Sequence, residues 1–399
     1  MTTPASDRPT ATIAVACMTT CVAVASVYLT QPVFAEIAAA YGRSISDARL
    51  AFSVSSIAYE LAFFVFGPLS DHIGVRRMAG LGLLLGAASA ASAALLEHYT
   101  GFLLACGAQG ASAAAVPAAM FALMPRIARK EQIGTYFGLI IAASVVGITL
   151  GRAAMGLLTA GLGLRGALLA CACVLLAMAA TTRTLPEDSA RSSRREGLLR
   201  IYAGTVRALL VPDLLRLFAT GFLLFFGYLG VVTFLTLRLH EPPFSLSSAG
   251  IGSISLLGLG AVVGAPASGR LVGRVGSLVV GLGGLASVLG AIACLAWTQS
   301  VIGVSAGLFL IFLGVFSCQP AVFVRTAQRV DPASRGTASS LYLLTCLGAG
   351  SLASAVLGPV WIEGGWGAIT AICATTTALS ALLLASDAYI RSESILQRA

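Results

Sequence analysis

Charge is what this chain has least of. Only 10% of its 399 residues are Asp, Glu, Lys or Arg, against roughly 25% in an average soluble domain. With 57% hydrophobic residues and a mean hydropathy of +0.92, that shortage excludes a water-soluble protein and implies an integral membrane one. Lysine is almost missing, Lys130 being the only one. Histidine is scarce, and His72, His98 and His240 all fall in predicted loops, so no metal cluster can be assembled within the membrane. No P-loop is present, which removes ATP as an energy source. The chain also lacks the apolar–polar alternation over about ten positions that marks a membrane barrel. The expected fold class is therefore all-α, without metal or cofactor, and the chain does not read as an enzyme.

What is there in abundance is long apolar runs. Crossing a hydrocarbon core of ~30 Å takes about 20 residues. Twelve stretches meet that length: 12–36, 48–69, 78–96, 100–124, 134–158, 164–183, 214–238, 247–270, 276–297, 301–323, 336–360 and 366–387. Gly and Ala fill them, as expected where helices pack closely in lipid. The first run exceeds the roughly 7–15 residues of a signal-peptide core and is read as a permanent span. Orientation follows from the basic residues. With a cytoplasmic N-terminus, nineteen Arg and Lys fall in inside segments and four outside, at Arg43, Arg49, Arg165 and Arg238. Both termini are therefore expected inside. The net charge of +9 then reflects topology and does not mark a nucleic-acid partner. Trp297, Trp361 and Trp366 fall at predicted outer helix ends, where indole settles. The nine cysteines are odd in number and all lie within spans, which speaks against a disulfide framework.

The polar, Arg-rich stretch 181–213 separates six spans from six and reads as a linker. The expected organisation is a six-helix bundle at 1–183, a cytoplasmic linker at 184–213 and a second bundle at 214–399. Shifting the sequence by 202 residues takes Gly67 to Gly269, Leu69 to Leu271 and Gly74 to Gly276. The same shift takes Gly134-Thr135 to Gly336-Thr337 and Gly156 to Gly358. One offset joining separate landmarks implies an internal duplication, and parallel six-helix repeats are a transporter architecture.

Between the second and third spans stands GPLSDHIGVRR, Gly67 to Arg77. It resembles the signature G-x-L-x-D-[RH]-x-G-[RV]-[RK] of the major facilitator superfamily, and the resemblance covers essentially the whole chain. The fifth span, GLIIAASVVGITLGRAAMG, is similar to that superfamily's proton-antiporter motif. Gly138, Gly147, Gly151 and Gly156 fit it, while Arg152 replaces the motif's proline and Met155 a glycine. With LPED after span 6 and GTASSLYL entering span 11, the chain resembles a bacterial inner-membrane subgroup of drug and sugar exporters. The resemblance implies that Asp71 meets the cytoplasmic start of span 11 near Gly336. Gly67, Asp71, Gly74 and Arg76 would then form an inner gate, with Asp71 at a positive helix end. Two departures stand out: Cys106 occupies the arginine position of the fourth-span signature R-x-x-Q-G, and Gly273 occupies the counterpart of Asp71.

Charges within spans cost a few kcal/mol each and point to function. Glu60 lies about nine residues, ~14 Å, from the inner end of span 2, near the midplane. Arg152 lies about 18 residues, ~27 Å, from the inner end of span 5, so a direct Glu60–Arg152 pair is not expected. A carboxyl at that depth can bind and release a proton, or serve as neutral packing glue between helices. For Arg152 the expected partner is Glu36 or Gln31 at the outer end of span 1, and a snorkelling structural role is the other reading. Glu60, Arg152 and Glu36 are thus the proton-coupling candidates. In the resembled fold, spans 1, 4, 7 and 10 line the cavity, which makes Tyr28, Gln31, Gln109, Phe222 and Gln319 candidate substrate contacts. Phe218, Phe222 and Phe225 also read as a core or lipid-facing stripe.

The function these features imply is proton-coupled efflux of a small drug-like or sugar compound by alternating access. A sugar or metabolite symporter or uniporter is the alternative within the fold, and a non-transporting membrane sensor is the alternative outside it. The expected partners are the small-molecule substrate, protons and membrane lipid, with no nucleic acid. The expected setting is the bacterial inner membrane, and the expected form is a monomer.

Overall fold

The computed structural model describes residues 8–186, 212–246, 254, 260–330 and 335–396. Among them there is helix, turn and 3-10 structure but no strand. Nine helices are long and apolar enough to cross a membrane among the described residues. Two of the nine are double. Ile133–Thr181, 49 residues, is bent at Gly163 (φ 68°), and Arg335–Leu396, 62 residues, is bent at Gly365 (φ 60°). At 1.5 Å per residue each is more than twice the roughly 30 Å of a hydrocarbon core, so each holds two of the expected spans. Gly260–Val275 is the described part of the eighth span. This pattern is consistent with twelve.

The duplication is written in backbone angles. Gly74 has φ 96°, ψ 143° and opens the third-span helix Val75–Leu95; Gly276 has φ 89°, ψ 154° and opens the ninth-span helix Ser277–Trp297. The two stand at the offset of 202, and so do the bends at Gly163 and Gly365. A left-handed turn of this kind strains any residue with a Cβ. Helix crossings repeat as well. A Cβ on Gly82 would lie 2.9 Å from the Ser112 carbonyl oxygen, and one on Gly284 would lie 2.6 Å from that of Gly314. Both contacts place a third-span-type helix against a fourth-span-type helix at backbone distance.

Two compact units emerge from the contacts. The first contains residues 1–127, 143–205 and 332–340; the second contains 128–142, 206–331 and 341–399. The fifth-span helix is therefore divided at Ala142–Ala143. Its first part packs in the second unit, where a Cβ on Gly134 would meet the Gly269 carbonyl at 2.8 Å and one on Gly138 would overlap the backbone of Ala265. Its later part packs in the first unit, where a Cβ on Gly151 would lie 2.8 Å from that of Ala25 and one on Gly147 would overlap the Cys21 carbonyl.

In the second unit a buried ion cluster ties four helices together. Asp387 accepts from Arg325 Nε at 3.1 Å and Nη2 at 2.5 Å, and from Arg329 Nη2 at 2.6 Å and Nη1. Arg325 also donates to Ser277 Oγ, and Arg329 to the carbonyl of Asp213. The Asp387 side chain is 2% exposed, and those of Arg325 and Arg329 are 9% and 10% exposed. A buried charge needs such pairing and hydrogen bonding to be tolerated.

Candidate functional site

The first span is not one continuous helix. Arg8–Val27 ends in a turn at 28–30, followed by the 3-10 segment Gln31–Val33 and the helix Phe34–Tyr41. The cause is Pro32, which lacks an N–H and cannot continue the hydrogen-bond ladder. Short-range bonds from Tyr28 N to Ala25 O, Gln31 N to Tyr28 O and Val33 N to Thr30 O take its place.

At this break three candidates meet. The Arg152 Cζ lies 5.2 Å from the Tyr28 ring centroid, a cation–π distance. Tyr28 is within electrostatic reach of both Arg152 and Glu60, and Tyr59 is within reach of Tyr28 and Glu60. Phe52 completes the surround, with its ring 5.4 Å from that of Tyr28. Glu60 and Tyr28 are half-buried, and Arg152 is exposed. The partner expected for Arg152 has to be corrected. Neither Glu36 nor Gln31 takes its guanidinium; the Tyr28 ring does, and Glu36 itself is exposed. The helix break accounts for the difference, because it leaves Tyr28 in the turn facing the fifth span. Arg152 makes no ion pair among the described residues.

Behind the break lies a neutral polar layer. Gln109 Nε2 donates to Ser26 Oγ at 2.8 Å, and Ser26 Oγ donates to Ala23 O at 2.7 Å. Gln109 Oε1, Thr30 Oγ1 and Gln31 Oε1 are buried with no hydrogen-bond partner among the described residues. Gln109 and Thr30 line a cavity of about 20 Å³ together with Ser26, Ser55 and Cys106, the size of one water. Cys106, where the resembled signature carries arginine, is buried in that wall.

The remaining candidates lie in the second unit. Tyr228 is surrounded edge-on by Phe225 (5.8 Å), Phe312 (5.8 Å) and Phe316 (6.4 Å). Phe222 stacks on Phe226, while Phe218 and Phe225 are buried. The aromatic stripe is therefore largely core. Gln319 is buried with its Oε1 unpartnered among the described residues.

The gate candidates fall at the end of the helix Leu50–Ile73. Asp71 occupies the last turn of that helix, at the negative end of its own dipole, and not at a helix start as the sequence suggested. Its side chain, like that of Gly336's surroundings at 331–334, lies outside the described residues. In the same unit, Arg335 at the start of the eleventh-span helix donates to the carbonyl of Pro125, near the end of the fourth-span helix, at 3.5 Å. Of the four antiporter-motif glycines, Gly138, Gly147 and Gly151 are pressed against backbone, but Gly156 has open space around it. One sequence match carries no chemistry. GVSAG, 303–307, has the spacing of a nucleophile elbow but lies in the first turns of the helix Val301–Ala327 after a loop, with no strand before it.

Comparison with known proteins follows the same line. A family model described as Major Facilitator Superfamily matches residues 16–354. Probable transporter SCO4007 of Streptomyces coelicolor is 28% identical over 362 residues, covering 88% of this chain and 82% of that protein. The inner membrane transport protein YnfM of Escherichia coli is 26% identical over 363 residues, covering 90% and 86%. Among solved structures, the human organic anion transporter MFSD10 (TETRAN) superposes with a TM-score of 0.77 at 20% identity, covering 96% of this chain and 100% of that one.

Proposed function

Because this chain belongs to the major facilitator superfamily and is a multi-pass membrane transporter of that family, we propose that it exports a small organic compound in exchange for protons by alternating access. The supporting observation is Tyr28, held in the break of the first span within reach of the acid Glu60 and the cation Arg152. A carboxyl at this depth is costly to leave charged and can exchange a proton with either side as access alternates. In this reading Glu60 carries the proton, Arg152 sets the field in which it titrates, and Tyr28 couples the two. Gln31 and Gln109 offer polar contacts beside them, and Asp71 closes the inner side against the start of span 11. The two bundles at 1–183 and 214–399 rock about the site, joined by the cytoplasmic linker 184–213. The protein works as a monomer in the bacterial inner membrane, with both termini cytoplasmic.

The test is transport by purified protein in liposomes carrying a pH gradient, with a mixed panel of drug-like and sugar compounds. Glu60→Gln keeps shape and hydrogen bonding but removes titration. It is expected to abolish uphill, pH-driven movement while substrate binding stays measurable. A Glu60→Gln protein that still builds a substrate gradient from a pH gradient would place coupling elsewhere.

A further inference from the structure

We propose that the second unit carries a binding site for an anionic phospholipid, its phosphate held between Arg270 and Arg274 with Arg129 beside them. Placement in the inner leaflet rests on the orientation proposed above; the binding itself does not. All of these residues belong to one unit. A Cβ on Gly273 would lie 2.7 Å from the carbonyl oxygen of Glu131, so the turn Lys130–Gln132 is pressed against the last turn of the helix Gly260–Val275. That crossing brings Arg129, two residues before Glu131, to the same end as Arg270 and Arg274. The latter two stand one helical turn apart on a single face. All three arginines are exposed, and none of their side chains makes a hydrogen bond or an ion pair among the described residues. Glu131 is the one acid in the group, which leaves an excess of positive charge. Ser277, three residues beyond Arg274, accepts from Arg325, whose buried cluster itself holds two arginines for one aspartate.

Topology asks for basic residues at this end of the spans, but it does not account for their setting. The counterpart loop of the first unit balances its arginines with Asp71, where this loop has Gly273. No Asp or Glu occurs anywhere between Glu241 and Asp331, so the charge has to be met from outside the segment. The neighbours of the arginines then select the guest. Leu271 directly follows Arg270, Val275 directly follows Arg274, and Val279 stands in the first turn of the next helix; all three are exposed. A free phosphate would engage the guanidinium forks and leave these aliphatic side chains uncovered. A phospholipid uses both, its phosphate on the arginines and its acyl chains along Leu271 and Val279.

The experiment is lipid titration of the full-length protein in detergent micelles, read by native mass spectrometry. The probes are palmitoyl-oleoyl phosphatidylglycerol, the phosphatidylcholine with the same chains, and sn-glycerol 3-phosphate, which offers a phosphate without chains. Phosphatidylglycerol is expected to bind at least about tenfold tighter than either of the others. The pair Arg270→Gln, Arg274→Gln should weaken it roughly 25-fold, about fivefold for each arginine, and leave phosphatidylcholine unchanged. Lysine at both positions should keep most of the binding. The control pair Arg77→Gln, Arg183→Gln, exposed arginines of the first unit, should leave it unchanged. The proposal is overturned if phosphatidylglycerol binds no tighter than phosphatidylcholine, or if the Arg270, Arg274 pair can be replaced without loss. An equal loss from the control pair would reduce the effect to diffuse surface charge, and glycerol phosphate binding as tightly as the lipid would make this a soluble-phosphate site; either result also overturns it. Micelles have no sides, so orientation is tested separately. Labelling of Arg274→Cys above the parent protein by an impermeant maleimide in intact cells would refute the inner-leaflet placement alone.

Discussion

Removing the Asp387 carboxylate should destabilise the second unit more than any single change at the candidate site. Asp387 accepts four hydrogen bonds from two arginines, and all three side chains are at most 10% exposed. Asp387→Ala leaves two guanidinium groups buried side by side with no counter-charge. Breaking a buried pair from one side costs about 3–5 kcal/mol. For a unit of this size, 1 kcal/mol corresponds to roughly 2–4 °C in melting temperature, so the expected drop is on the order of 10 °C. A thiol-reactive dye that reports newly exposed cysteine suits the measurement, since Cys318, Cys346 and Cys373 are all free and buried in this unit. The triple variant Arg325→Met, Arg329→Met, Asp387→Leu should recover most of the loss, because an apolar replacement of the whole cluster leaves no charge unpaired. A melting temperature unchanged by Asp387→Ala would refute the reasoning. A triple variant no better than the single one would mean that lost packing, and not uncompensated charge, sets the cost.

The glycine motif of the fifth span gives an internal contrast. Gly147→Ala and Gly151→Ala drive a methyl into the backbone of the first span and should cut transport severalfold, whereas Gly156→Ala meets open space and should be silent in the same liposome assay. Equal effects at all three would show that helix packing is not what these glycines supply. For the gate, Asp71→Asn is expected to slow transport at normal expression, and an unaltered rate would reduce Asp71 to a topological residue.

Much of the fold was legible because membrane physics leaves so few options. Span length and the arginine distribution suffice for an all-helical, multi-pass chain. The 202-residue offset linked Gly74 to Gly276, and both open a helix with left-handed φ. The same offset also links Gly163 to Gly365, a pair the sequence reading passed over because both fall among other glycines at predicted loops. The break at 28–30 was signalled by Pro32, yet an apolar run of full length concealed it. Hydropathy sums a window and does not register one missing N–H. Asp387 was missed for a different reason. A lone acid at the end of a span reads as a boundary charge until Arg325 and Arg329, one helical turn apart, are seen to face it. The Tyr28 meeting point needed three helices in place, and no spacing within one helix could have given it.

The division of the fifth-span helix at Ala142–Ala143 bears on how the gene can be cut. Splitting the chain at the central linker gives two polypeptides of six spans, which looks like a natural seam. The first of them would carry residues 128–142 without their packing partners, since Gly134 and Gly138 rest against backbone at Gly269 and Ala265. That fragment would present a bare glycine face to lipid, a smooth strip that helices in a bilayer readily seize. Separately made halves should therefore find one another, or pair wrongly with themselves, before either is stable alone. Chimeras with related proteins would keep their integrity only if the exchanged segment carries both sides of that glycine crossing.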